Sequence, residues 1–123
     1  MAKHYDFGKE AEEIARIFLI ENNYEILTKN YYAQKAEIDI IAKENNVLII
    51  CEVKARSNTF FSEPEMAVTK SKQKRMIFAA DDYIEKNQLD IEVRFDILAL
   101  TKINNQWNIK HLPDAFNTLE NEL

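Results

Sequence analysis

Residues 37 to 54 run Glu37-Ile38-Asp39-Ile40-Ile41-Ala42-Lys43, then Glu44-Asn45-Asn46-Val47, then Leu48-Ile49-Ile50-Cys51-Glu52-Val53-Lys54. Two apolar, β-branched runs flank Asn45-Asn46, which predicts two antiparallel strands joined by a two-residue type I′ turn, since Asn tolerates positive φ. With those two residues as the loop, Glu44 faces Val47, and counting outward sets Asp39 opposite Glu52 and Glu37 opposite Lys54. Alternation then puts Glu37, Asp39 and Ile41 on one face with Leu48, Ile50, Glu52 and Lys54. The apolar half of that face belongs to a core. The charged half carries two carboxylates whose Cβ atoms lie ~5 Å apart and repel unless something cationic sits between them. A divalent metal resolves the conflict; so do strands that end in solvent with Lys54 as a neutralising partner.

The 123 residues, 46% hydrophobic and 30% charged, suit one domain with a substantial core. No apolar run approaches the ~20 residues needed to cross a bilayer, and Met1-Ala2-Lys3-His4-Tyr5-Asp6 lacks the apolar core of a signal peptide, so a cytoplasmic protein without membrane partners is expected. Cys51 has no second cysteine to pair with and reads as a small buried hydrophobe. His4 and His111 stand far apart with no ligand at metal spacing, which argues against a His/Cys zinc site. The net charge of −5 disfavours non-specific nucleic-acid binding by the whole chain. Yet Lys70-Ser71-Lys72-Gln73-Lys74-Arg75 carries +4, leaving −9 on the remainder, and Lys54 and Arg56 follow the hairpin closely enough to join that patch. A solvated helix face is the other meaning of such a run.

In chain order, Asp6 is the expected cap of a helix from Phe7 to Asn22, with Ala11, Ile14, Ala15, Phe18 and Leu19 at helical spacing. Glu10 falls on that stripe, favoured there by the helix dipole or directed at the sheet as a ligand. Tyr24 to Lys29 predicts a short strand, with Asn30 to Lys35 leading into the hairpin and the adjacent Tyr31 and Tyr32 pointing opposite ways. Ser57 to Pro64 has turn chemistry and no period, so Phe60 and Phe61 sit in a loop, to cover the core, join an interface or touch substrate. Thr69 predicts the N-cap of a long helix to about Asn87, which places Lys70, Lys72 and Lys74 in its first turns against the dipole. Ile91 to Thr101 and Trp107 to Leu112 form a second hairpin across Asn104-Asn105, and residues 113–123 are expected to be an acidic tail, frayed or an edge decoration.

The order helix, strand, hairpin, long helix, strands, with Asp39 and the triplet Glu52-Val53-Lys54, resembles the PD-(D/E)XK nuclease superfamily. Five ordered blocks resemble one bacterial family in it, UPF0102 or YraN-like: Phe7-Gly8-Lys9-Glu10, Ala36-Glu37-Ile38-Asp39-Ile40-Ile41, Cys51-Glu52-Val53-Lys54-Ala55-Arg56, Ala67-Val68-Thr69-Lys70-Ser71-Lys72-Gln73 and Arg94-Phe95-Asp96-Ile97. The resemblance runs from about residue 5 to 112 and departs from the family pattern at Ala36 and Ser62, where glycine is common. It implies a restriction-endonuclease-like αβββαβ core in residues 1–112, a mixed central sheet flanked by helices, similar to Holliday-junction resolvases. It further implies Mg²⁺ or Mn²⁺ on Asp39, Glu52, the Val53 carbonyl and Glu10, with Asp39, Glu52 and Lys54 catalytic. Lys72, Lys70, Arg75 and Arg56 would contact nucleic acid, and Glu37 and Gln73 would support, Glu37 by holding Lys54. The implied activity is metal-dependent endonucleolytic hydrolysis of DNA, with RNA open as substrate and a homodimer as the arrangement of resolvase-like relatives. A non-catalytic nucleic-acid-binding or protein-interaction module on the same fold is the alternative.

Overall fold

A computed structural model describes residues 3–58 and 60–119; the side chain of His4 and residues 120–123 of the tail lie outside the described residues. The elements are α1 (Lys3–Glu21), β1 (Glu25–Ala33), β2 (Ala36–Glu44), β3 (Val47–Ser57), α2 (Glu63–Met66), α3 (Lys70–Lys86), β4 (Glu92–Ile103) and β5 (Gln106–Phe116). The strands form one sheet in the order β1-β2-β3-β4-β5, antiparallel except for β3 and β4, which run parallel because α3 carries the chain across between them. The sheet is therefore mixed, as expected, with α1 on one face and α3 on the other.

The β2–β3 hairpin has the register that a two-residue loop dictates: Glu44 pairs with Val47, and the ladder runs to Ile40↔Cys51. The turn chemistry differs from expectation. Asn45 takes φ 53°, but Asn46 is not among the described residues at positive φ; the double positive φ of a type I′ turn occurs at Asn104 and Asn105 (51° and 63°), between β4 and β5. In a chain with a single glycine, six asparagines of the described residues supply left-handed backbone, because their short polar side chains tolerate it best after glycine.

Local boundaries shift in four places. α1 begins at Lys3, so Asp6 lies in its first turn and does not cap it. β1 runs on to Ala33, making Gln34-Lys35 a hairpin loop of its own, with Ala33 paired to Ala36. A short helix, α2, interrupts the stretch expected to be loop. β5 continues through Pro113 to Phe116, which is buried and stacks on Phe95 at 4.9 Å, so the tail does not begin at Pro113. Pro113 is tolerated there because β5 is an edge strand with no partner on its outer side.

Two apolar layers clamp the sheet. Ala11, Ala15 and Leu19 of α1 cover Ile40, Ala42, Ile49, Cys51, Leu98 and Leu100, the alanines letting the helix lie close. Met76, Ala79 and Ala80 of α3 cover Ile38, Ile41, Leu48, Ile50, Phe95 and Ile97. Each fully buried Ile or Leu contributes roughly 1.5–3 kcal/mol, which fixes the β2–β3 register more firmly than the turn does. Cys51 is fully buried, as its setting predicts. Ile38 and Ile41 both join the α3 layer although strict alternation would send them to opposite faces. The inside–outside pattern of β2 therefore breaks between them, at Asp39, one residue past the last paired position with β3.

Candidate functional site

Where the ladder stops, Asp39 turns toward β3 and its Oδ2 accepts the Val53 backbone N–H at 2.7 Å. Its carboxyl lies close enough to that of Glu52 for the two charges to repel, just beyond the last ladder pair of Ile40 with Cys51. Burial and the neighbouring Glu52 charge push the Asp39 acid up to about 8, against the opposing pull of the Val53 N–H. Without a cation, burial and mutual repulsion thus favour a proton held by the Asp39–Glu52 pair. Lys72 of α3 reaches in from above, its Nζ 3.6 Å from Glu52 Oε2, whose side chain is 14% exposed.

Lys54 is held by backbone. Its Nζ donates to the carbonyl oxygens of Glu65 (2.5 Å) and Ala67 (2.6 Å), and burial draws its pKa down despite the charges of Glu52 and Glu65. The expected partner, Glu37, instead lies across the β1–β2 ladder from Tyr32, whose hydroxyl pKa its charge raises. The reason is α2: its C-terminal end lays two carbonyls over Lys54. Sequence reasoning missed this element, although Ser62-Glu63-Pro64-Glu65 before Met66 has capping-box spacing, and the Glu65 carboxylate does accept the Ser62 N–H at 3.1 Å.

The other expected nucleic-acid contacts fall around α2 and the start of α3. Arg56 pairs with Glu65 and lies over the Phe61 ring, 5.3 Å from its centroid. Phe60 is exposed, and with Phe61 and Met66 it walls a cleft of about 450 Å³ against Ala99, Thr101 and Ile109. Thr69 caps α3 as expected, its hydroxyl accepting the Lys72 N–H at 3.2 Å, and Gln73 ties the same turn to the Val68 carbonyl at 2.8 Å. Lys70 opens that turn, and Arg75 donates to the Ser71 hydroxyl at 2.7 Å.

Glu10 is not brought to the pair. Its Oε1 accepts from Lys102 Nζ (2.6 Å) and Trp107 Nε1 (2.8 Å), which hold its pKa below the ordinary carboxylate value. Lys102 pairs with Ser57, five residues past Glu52 and thus ~17 Å along the strand. Trp107 packs in the α1 layer, whereas Glu52 and Lys54 meet elements of the α3 layer. The α1 carboxylate whose field is felt at Asp39 is Glu12. Among the described residues, no three carboxylate, imidazole or thiol groups converge on one point.

A charged network was also missed. Asp96 is fully buried on β4, accepts two hydrogen bonds from Arg94 (2.9 and 2.7 Å), meets His111 Nε2 at 2.7 Å and takes the Asp114 N–H at 3.0 Å. Burial raises its pKa, but Arg94, His111 and the Asp114 N–H outweigh that and hold it below the usual value. Tyr24 joins through Arg94 at 2.9 Å. The bond to Asp114 lies where the β4–β5 register shifts between Phe95 and Ile97, so Asp96 fastens the irregular end of β5. The spacing Arg94-x-Asp96, two residues on one strand face, was the available signal.

An αβββαβ order and a mixed sheet between helices give a restriction-endonuclease-like α/β domain. Within that class the chain belongs to UPF0102: the model of "Uncharacterised protein family UPF0102" matches residues 11–100. It is 45% identical over 116 residues to a UPF0102 protein of Phocaeicola vulgatus, covering 94% of this chain and 96% of that one. It is 46% identical to a UPF0102 protein of Christiangramia forsetii, covering 94% and 98%. Among the described residues no helix is long and apolar enough to cross a membrane.

Proposed function

We propose that the protein is a Mg²⁺- or Mn²⁺-dependent endonuclease that hydrolyses phosphodiester bonds in DNA. The observation that carries this reading is the contact between Asp39 and Glu52 at the point where β2 and β3 part, with Lys72 and the backbone-anchored Lys54 beside it. The donors suit the ion: Mg²⁺ takes one or two carboxylates and fills its remaining positions with waters and phosphate oxygens, and Asp39, Glu52 and the Val53 carbonyl offer hard oxygens. Two carboxylates forced to share a proton exchange it readily for a divalent cation. When bound, the metal supplies Lewis acidity and lowers the pKa of a coordinated water.

The protein's own groups do the rest. Two of the three N–H donors of Lys54 engage the Glu65 and Ala67 carbonyls, leaving one to orient a water or stabilise charge on the phosphate. Lys72 offsets carboxylate charge before a phosphate arrives and turns to the phosphate afterwards. Glu10 has no part in this scheme, being tied to Lys102 and Trp107.

The test is cleavage of a panel of labelled branched, flapped, single-stranded and duplex DNA, with RNA counterparts, in Mg²⁺ or Mn²⁺. Lys54→Ala serves as the blank; if it or Asp39→Ala cuts as well as wild type, the assignment fails. One observation favours a non-catalytic binding module instead: the net charge of −5, which weakens DNA binding by the whole surface. Calorimetry separates the two readings, because a chain that takes up no Mn²⁺ even with DNA present is not a metallonuclease.

A further inference from the structure

The turn between β1 and β2 and the outer face of α3 enclose a second cleft, of about 420 Å³, lined by Ala33, Gln34, Lys35, Ala36, Lys74, Arg75 and Phe78. Its floor is the small, buried Ala33–Ala36 pair that closes the hairpin. One wall is the ring of Phe78, 46% exposed on a helix whose neighbouring Met76 and Ala79 are buried. Cations surround it. In this acidic chain Arg16, Arg56, Lys72, Lys86, Arg94 and Lys102 each have a carboxylate partner. Among the described residues Lys35 and Lys74 have no ion-pair partner, and Arg75 is bonded to a neutral serine hydroxyl. An aromatic face with unneutralised cations above a small-residue floor matches a base stacked on a ring with its phosphates on the rim.

Continuity with the proposed site selects the occupant. Lys72, at Glu52, and Arg75 are three residues apart on α3, and Lys74 and Phe78 four apart, so each pair sits side by side. From Lys72 to Phe78 is ~9 Å along the helix axis, close enough for neighbouring nucleotides of one strand to touch both. In an intact duplex the base faces are covered by stacking and cannot meet Phe78. We infer that this cleft takes an unpaired nucleotide beside the cleaved phosphate, so that the substrate is a nucleic acid with a single-stranded segment, such as a flap or splayed arm; this rests on the nuclease reading above for its place next to cleavage, and on the cleft alone for binding.

The experiment is fluorescence anisotropy of the full chain in EDTA, with a labelled single-stranded oligonucleotide and a blunt duplex of the same sequence, for wild type, Phe78→Ala, Phe78→Trp and Lys74→Ala/Arg75→Ala. Phe78→Ala should weaken single-strand binding about five- to a hundredfold, the range for one lost base–aromatic stack, and change duplex binding less than about twofold. Phe78→Trp should restore it, and the double variant should reduce the salt slope of single-strand binding by about 1.4, two phosphates at ~0.7 each. Equal binding of wild type and Phe78→Ala, or equal losses on both probes, overturns the inference, as does failure of wild type to prefer the single strand. Metal-dependent cleavage with unchanged Phe78→Ala binding would leave the nuclease reading standing and this one refuted. Phe78-dependent binding without cleavage would do the reverse.

Discussion

Replacing Asp39 by Asn removes one charge from the Asp39–Glu52 pair while keeping its shape and the carbonyl that accepts the Val53 N–H. In the metal-free protein the Asp39 acid rises from 3.8 to about 8, so between those values the folded state holds a proton that the unfolded chain releases. Stability from this group is complete below pH ~4 and is lost as pH climbs through 8. At ~1.4 kcal/mol per pKa unit the full shift corresponds to about 5–6 kcal/mol, which relaxation of the partly exposed Glu52 reduces to about 2–3 kcal/mol. In EDTA, Asp39→Asn should therefore exceed the wild-type melting temperature by about 3–5 °C at pH 5.5, where about two-fifths of the loss has occurred, and by about 6–15 °C at pH 8.5, at ~3–5 °C per kcal/mol. Adding Mn²⁺ at tenfold its dissociation constant should stabilise wild type by about 1.4 kcal/mol, or about 4–7 °C, and leave the variant unmoved. Thermal unfolding followed by circular dichroism reads all six conditions. A melting-temperature difference that does not change with pH, or a Mn²⁺ response equal in both proteins, refutes the reasoning.

Lys54→Ala should lower cleavage about a hundredfold or more without loss of Mn²⁺-dependent thermal stabilisation, since the ammonium acts on the substrate and not on the ion. Glu10→Gln should leave the Mn²⁺-induced melting shift intact; its loss would return Glu10 to the metal despite Lys102 and Trp107. Asp96→Ala opens a buried void and leaves Arg94 only its 3.7 Å contact with Glu44, and should cost about 3–5 kcal/mol by urea denaturation, against a smaller loss for Asp96→Asn. The Asp96 contribution has the opposite pH sense to that of Asp39: its lowered pKa makes it present above pH ~4 and lost as pH falls below. Thr69→Ala removes the acceptor for the Lys72 N–H and should destabilise the chain by ~1 kcal/mol.

Much of the hairpin was legible because its signals are local and repeated. Unbroken apolar, β-branched runs on both sides of Asn45-Asn46 mark two strands buried on both faces, the two-residue loop sets their register, and the observed ladder is that register. The long helix was legible for the same kind of reason: Thr69 stands where a cap is needed, ahead of an apolar stripe of period 3.6. Less legible was what happens once a pattern breaks. Pro113 read as the end of structure because a proline cannot donate to a ladder, but on the outermost strand nothing asks it to, and Phe116 beyond it is drawn in by Phe95.

The sequence by itself determined the β2–β3 register as far as Ile40 and Cys51, since a two-residue loop fixes it over short range, and so brought Asp39 and Glu52 to the same end of the hairpin. Only the tertiary structure decided which other groups reach them. Glu10, on the predicted inward stripe of α1, was drawn to Lys102 and Trp107 because α1 packs on the opposite sheet face and far along β3 from Glu52. Lys54 was claimed by two carbonyls of a four-residue helix that has no periodic signal, and Asp96 acquired Arg94 and His111 only when β5 folded beside β4. Partners of a charged side chain are set by what lies within a few ångströms in space, and across a sheet those neighbours come from segments whose separation in sequence carries no trace of the meeting.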